Sequence, residues 1–119
     1  MIPGCFDWPE QYAGDTAPWQ KFTLREKGEP ISLVDALIVM QVRKRPKKAP
    51  ILENTSVASA GIEILDAAAG VFRVGGYENP DLNDVYVYDI QITYPSGEVK
   101  TPLRGQYPIV GQVTKQGAP

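Results

Sequence analysis

Asp81, Asp84 and Asp89, with Asn79 and Asn83 beside them, are the residues whose types and spacing come nearest to doing chemistry in this sequence. Two carboxylates about 5 to 10 Å apart across a cleft would suffice for glycoside hydrolysis without any histidine. The same oxygens could ligate calcium, which takes about six to eight of them, but the spacing matches no EF-hand loop. Asp and Asn are also the ordinary residues of tight turns, and that is the simpler account of the cluster. A chain of 119 residues leaves little room for a substrate cleft as well. The expectation is no catalysis, no metal and no cofactor.

Composition narrows the chemistry further. The sequence contains no histidine, which removes Ser-His and Cys-His nucleophilic pairs, His-ligated zinc and histidine pH switches. Cys5 is the single cysteine, so neither an intrachain disulfide nor a CxxC cluster can form. Stability must come from packing, in keeping with a reducing cytoplasm. The formal charge of -2 gives no global attraction to nucleic acid or to an anionic membrane. The first nine residues carry neither a basic n-region nor the apolar run of a signal peptide, and no segment approaches the ~18 apolar residues of a membrane span.

Three local patterns invite a functional reading and are explained more simply. Arg43, Lys44, Arg45, Lys47 and Lys48 form a basic block without interleaved aromatics in an acidic chain, so a solvated hairpin tip is expected rather than a nucleic-acid patch. Gly70, Gly75 and Gly76 are followed by no Gly-Lys-Ser/Thr and read as turn glycines, not a phosphate loop. Asn54-Thr55-Ser56 matches a glycosylation sequon, but without a secretion signal it is a chance match.

The elements that must position these residues are strands. Tyr86, Tyr88, Ile90, Ile92 and Tyr94 recur at a period of two, placing all five on one face of an extended chain and Asp89, Gln91 and Thr93 on the other. Pro95-Ser96-Gly97 then reverses the chain into an antiparallel partner. Gln20, Phe22 and Leu24 alternate with Lys21, Thr23 and Arg25 in a first strand that ends at the turn 27–30. Residues 35–43 form a central strand with Ala36, Ile38, Met40 and Val42 on one side; its other side starts apolar at Leu37 and Val39 and turns polar at Gln41 and Arg43. Ile51 and Leu52 suggest a short strand, and residues 62–65 and 71–74 a hairpin across the 66–70 turn. Pro108, in a last strand over 107–114, calls for an edge position or a bulge. Asp84-x-Tyr86 matches the spacing of a tyrosine corner, in which the Tyr86 hydroxyl would bond back to upstream backbone.

Length and 43% hydrophobic content fit one domain with a single core. The expected organisation is an N-terminal arm over 1–14, a β-sandwich domain over 15–114 and a tail over 115–119. Phe6 and Trp8 in the irregular arm either fold back onto the domain or anchor a neighbour. Phe6, Trp8, Tyr12 and Trp19 are the candidate interface residues, and the arm is expected to be the main attachment element.

Gly14-Asp15-Thr16 with Trp19 and Phe22, the turn through Gly28-Glu29-Pro30, and Met40-Gln41-Val42-Arg43 occur in order along the chain. Gly61-Ile62, Ala69-Gly70, Tyr86-Val87-Tyr88-Asp89, Pro95-Ser96-Gly97-Glu98 and Gly105 follow. In that order and spacing, residues 14–114 resemble the small phage and prophage tail-associated immunoglobulin-like proteins, including the N-terminal domain of baseplate upper proteins. The resemblance implies an all-β fold, an antiparallel immunoglobulin-like β-sandwich of about seven to eight strands. It also implies a non-enzymatic virion structural protein of a tail or baseplate, assembled in the host cytoplasm. Its partners would be other virion proteins of tail, baseplate or neck, or copies of itself in a symmetric ring, with neither nucleic acid nor membrane. A capsid decoration or a host-glycan binding module is the alternative.

Overall fold

The computed structural model describes residues 4–111, which form eleven β-strands and a 3-10 turn, Val57–Ser59, with no α-helix. The strands are β1 (Gly4–Cys5), β2 (Gln11–Tyr12), β3 (Gln20–Thr23), β4 (Arg25–Glu26), β5 (Glu29–Pro30) and β6 (Leu37–Arg43). They continue as β7 (Pro50–Thr55), β8 (Ile62–Asp66), β9 (Val71–Val74), β10 (Asp84–Thr93) and β11 (Val99–Val110). A large sheet runs in the order β1-β11-β10-β6-β7, with β2 also on β11; a second sheet runs β3-β9-β8, and β4-β5 form a separate ribbon. Pairings between these strands are antiparallel except for β1 and β2, which lie parallel to β11. The fold is therefore mostly β, in several sheets paired mostly antiparallel.

The period-two patterns place their residues as expected. Tyr86, Tyr88, Ile90 and Ile92 of β10 are buried, as are Ile38, Met40 and Val42 of β6, while Asp89 and Gln91 face outward. Ile62, Phe72 and Val74 from the second sheet join the same hydrophobic cluster, so one core takes side chains from both sheets. The expected reversals are present too. Gly97 donates its N–H to the Tyr94 carbonyl at 2.8 Å between β10 and β11, and the 66–70 turn joins β8 to β9. Lys27 and Gly28, at φ 53° and 81°, make the two-residue turn between β4 and β5, the positive φ pair that suits a right-twisted hairpin.

The expected boundary at residue 14 is not a structural break. Residues 4–13 run along the free side of β11: the Phe6 N–H donates to Arg104 O, the Trp8 N–H to Gln106 O, and the Ala13 N–H to Val110 O. This segment belongs to the domain rather than forming a separate arm. It adds β1 and β2, and the tight turn adds the ribbon β4-β5, which accounts for more strands than the repeat of long apolar runs suggested. The physical reason is that alternate backbone groups of β11 need partners, and an extended segment supplies them. Gly105 makes the approach possible, since a Cβ there would lie 2.1 Å from the Phe6 carbonyl oxygen.

Two prolines mark how β11 fits. It is one strand of 12 residues, where two shorter ones were expected. The irregularity expected near Pro108 lies instead at Pro102, where the register slips between Ile90↔Leu103 and Ile92↔Lys100 and leaves Thr101 and Pro102 opposite Gln91. Arg104, Gln106 and Val110 aim their carbonyls at the N-terminal segment, so Pro108, of the same parity, lacks its donor on that side and costs β10 nothing. Residues 112–114 of the expected last strand and the 115–119 tail lie outside the described residues.

Trp8→Ala is expected to cost about 3 to 5 kcal/mol, the range for removing a large buried aromatic, read as a lowered chemical denaturation midpoint. Gly105→Ala should also destabilise, by about 1 to 3 kcal/mol, because the Phe6 backbone must move off β11. A midpoint unchanged in both variants would show that the N-terminal segment does not dock.

Candidate functional site

The outer face of the large sheet is assembled by register from strands far apart in sequence. Leu37, Thr93 and Val99 form one cross-strand row at one end, with Val39 and Gln91 in the next. Gln41, Asp89 and Arg104 line up in the middle, followed by Arg43, Val87 and Gln106. Val85 beside Pro108, and Tyr12 beside Val110, complete the far end. The face is thus apolar at both ends and polar between. Leu37, Val99, Val85 and Tyr12 are 37%, 53%, 51% and 50% exposed, so apolar surface is open to solvent at both ends.

The polar centre is a groove of about 570 Å³ lined by Arg43, Lys47, Asp89, Arg104 and their neighbours. Arg43 donates to the Gln41 side-chain oxygen and to the Lys48 carbonyl, which fixes the guanidinium along the sheet. Gln41 also donates to Glu53 at 2.5 Å. Burial pushes the Asp89 carboxyl above its ordinary value, while the nearby Arg43 charge pulls it back down. Lys44, Arg45, Lys47 and Lys48 sit on the exposed hairpin between β6 and β7, where a basic tip was expected. Lys44 is ion-paired with Asp84.

Of the four interface candidates, two are exposed. Tyr12 and Trp19 face solvent, although the Arg73 guanidinium stacks 3.9 Å from the Trp19 ring centroid. Trp8 is 3% exposed and cannot reach a neighbour. It makes edge-on contact with Phe6 at 5.6 Å and Tyr88 at 5.1 Å, and tilted contact with Phe22 and Tyr107, both at 5.6 Å. Phe6 is half-buried in the same cluster, edge-on to Phe22 at 5.3 Å. The correction follows from parity: Phe6 and Trp8 point to the core side of an extended segment, and Asp7 between them points out and accepts from the Gln106 N–H at 3.0 Å. That alternation was the signal available in the sequence.

The tyrosine corner is also corrected. The Tyr86 ring is buried, with the Lys44 ammonium 5.6 Å from its centroid, but its hydroxyl has no hydrogen-bond partner among the described residues. Asp84 accepts from the Val85 N–H at 2.7 Å and pairs with Lys44, so both members of the motif serve the strand entrance. The tethering hydroxyls belong to other tyrosines. Tyr88 donates to the Phe6 carbonyl and Tyr94 to the Ser32 carbonyl at 2.9 Å. Tyr107 donates to Asn79 Oδ1, which leaves Tyr77 as the donor in the 2.8 Å contact between the two hydroxyls. Asn79 in turn donates to Gln11 Oε1 at 3.1 Å and to the Asp15 carbonyl at 3.3 Å. Its buried amide is used in folding, and Asp84 is paired with Lys44 at the surface.

No helix among the described residues is long and apolar enough to cross a membrane. No protein-family model matches the chain, and no similar curated protein is found. The class defined by the fold is a mostly-β module of several sheets, paired mostly antiparallel.

Tyr107→Phe should cost about 1 to 3 kcal/mol, because Asn79 loses a donor inside the core, whereas Tyr86→Phe should fall within ~0.5 kcal/mol of the parent. Denaturation midpoints decide between them. Burial raises the Tyr77 hydroxyl from 10.0 to about 12, and raises Tyr88 and Tyr107 in the same direction. Since the folded state holds these protons longer than the unfolded chain, the stability they contribute is complete below 10.0 and is lost as pH climbs toward 12. Phenolate absorbance should therefore rise together with unfolding in that interval.

Proposed function

We propose that this chain is a phage virion structural protein, a tail or baseplate component that acts through protein–protein contacts and is built as an immunoglobulin-like β-sandwich. The single observation that carries the reading is the outer face of the large sheet. Its exposed Leu37, Val99, Val85 and Tyr12 leave apolar surface open at the two ends of a broad β-surface, area that a neighbouring subunit would cover. The sandwich reading is supported by the single core shared between the two sheets and by the ordered motifs over 14–114. Extents of 51 × 26 × 24 Å suit a rigid spacer between neighbours.

In this role the protein is assembled in the host cytoplasm and works without catalysis, nucleic acid or membrane. Its partners are other proteins of the tail, baseplate or neck, with a symmetric ring of copies as the arrangement to look for. The glycan-binding alternative has less support. Trp8 is buried, one side of Trp19 is covered by Arg73, and neither Tyr12 nor Trp19 lines the groove or the depressions beside residues 23–27 and 29–32.

Mass analysis of purified particles should detect the chain at a simple multiple of a tail protein. Leu37→Glu and Val85→Glu, both exposed, should leave stability within ~0.5 kcal/mol yet prevent incorporation. A protein absent from particles, or variants that incorporate at full occupancy, would sink the proposal.

A further inference from the structure

The groove at the centre of the outer face is a basic site inside an acidic chain. Three cations, Arg43, Lys47 and Arg104, line it against the single carboxylate Asp89. Arg43 is spent on Gln41 and the Lys48 carbonyl, and Lys44 on Asp84. Neither the Lys47 ammonium nor the Arg104 guanidinium has an ion-pair partner among the described residues. Arg104 lies opposite Asp89 in register, but the pair is not closed, and burial of Asp89 disfavours its charged form. Two open cations therefore flank a site that holds a single carboxylate.

We propose that this groove receives an extended acidic segment of a partner protein, with carboxylates meeting Arg104 and Lys47. The choice of occupant rests on charge complementarity. Arg104 offers a planar fork that matches a carboxylate, Lys47 adds a mobile ammonium, and the half-buried Val87 and exposed Pro46 beside them accept the aliphatic part of the segment. The apolar ends of the face then lie on either side of the charged contact. The inference depends on the outer face being a protein-docking surface, as proposed above.

The test is fluorescence anisotropy with the whole chain and a labelled peptide carrying glutamates at alternate positions, at low ionic strength. A glutamine version of the peptide and a single-stranded DNA oligonucleotide of equal charge serve as comparisons. The acidic peptide should bind saturably and the glutamine peptide should not. Arg104→Gln and Lys47→Gln should each weaken binding about fivefold or more, while Lys27→Gln, on the β4-β5 turn away from this groove, should leave it within twofold, on the order expected for local charge pairs. Equal binding of the glutamine peptide, equal loss in Lys27→Gln, or tighter binding of the oligonucleotide would overturn the assignment. Because the assay needs no particle, a failure here with intact incorporation into virions removes only the acidic partner. Failure of incorporation would remove the docking face itself.

Discussion

Trp8 holds the architecture together because it is the side chain that both sheets share with the N-terminal segment. It touches Phe22 of the small sheet and Tyr88 and Tyr107 of the large one, within a single ring-to-ring cluster that also includes Phe6. Phe22 then stacks on Phe72 at 5.3 Å, carrying the contact across the second sheet. A buried aromatic of this size contributes several kcal/mol, of the order lost when it is truncated. The indole N–H is buried without a partner among the described residues, which costs about 1 to 3 kcal/mol of that gain. Hydrophobic contact outweighs the unmade hydrogen bond.

Polar groups fasten the same segment a second time. Tyr88 bonds to the Phe6 carbonyl, Asp7 accepts from Gln106, and Gln11 accepts from Asn79, which itself accepts from Tyr107. The Asp7 bond is exposed, but the Tyr88, Asn79 and Tyr107 bonds are buried or partly buried, so each of these stabilises less by its own strength than by sparing a polar group from going unpaired. They also fix register. An apolar segment alone could slide along β11 by two residues without changing face, but the Asn79–Gln11 and Asp7–Gln106 bonds are satisfied in one alignment.

Fixing the N-terminal segment on one side of β11 decides what remains free. The inner faces of both sheets are filled, and the side of β11 that would otherwise be an exposed edge is covered in part by β1 and β2. The outer face of the large sheet stays open, with apolar ends and a basic centre. Its hairpin tip is anchored rather than loose, since Lys44 pairs with Asp84 and Arg43 reaches back to Lys48. A surface held this way can meet a partner with little ordering cost, which favours a docking role.

Much of the fold was legible because period two is a local property. The burial of Ile38, Met40 and Val42, the burial of Tyr86 to Ile92 at alternate positions, and the reversal at Pro95-Ser96-Gly97 all follow from nearest-neighbour geometry and turn chemistry. The site was less legible. The bulge at Thr101 and Pro102 puts Val99 and Arg104, five residues apart, on one face, where a regular strand would set them on opposite faces. Sequence spacing could not reveal it, and the Asp84-x-Tyr86 motif misled because a short spacing carries no information about which hydroxyl meets which carbonyl across 82 residues, as Tyr88 meets Phe6. The sequence by itself determined the long alternating strands β6 and β10, their buried faces and the absence of histidine chemistry, all of which reside in residue type and local order. Only the tertiary structure decided that Phe6 and Trp8 belong to the core and that Arg43, Asp89 and Arg104 share a groove, because those relations depend on long-range pairing that no local pattern encodes.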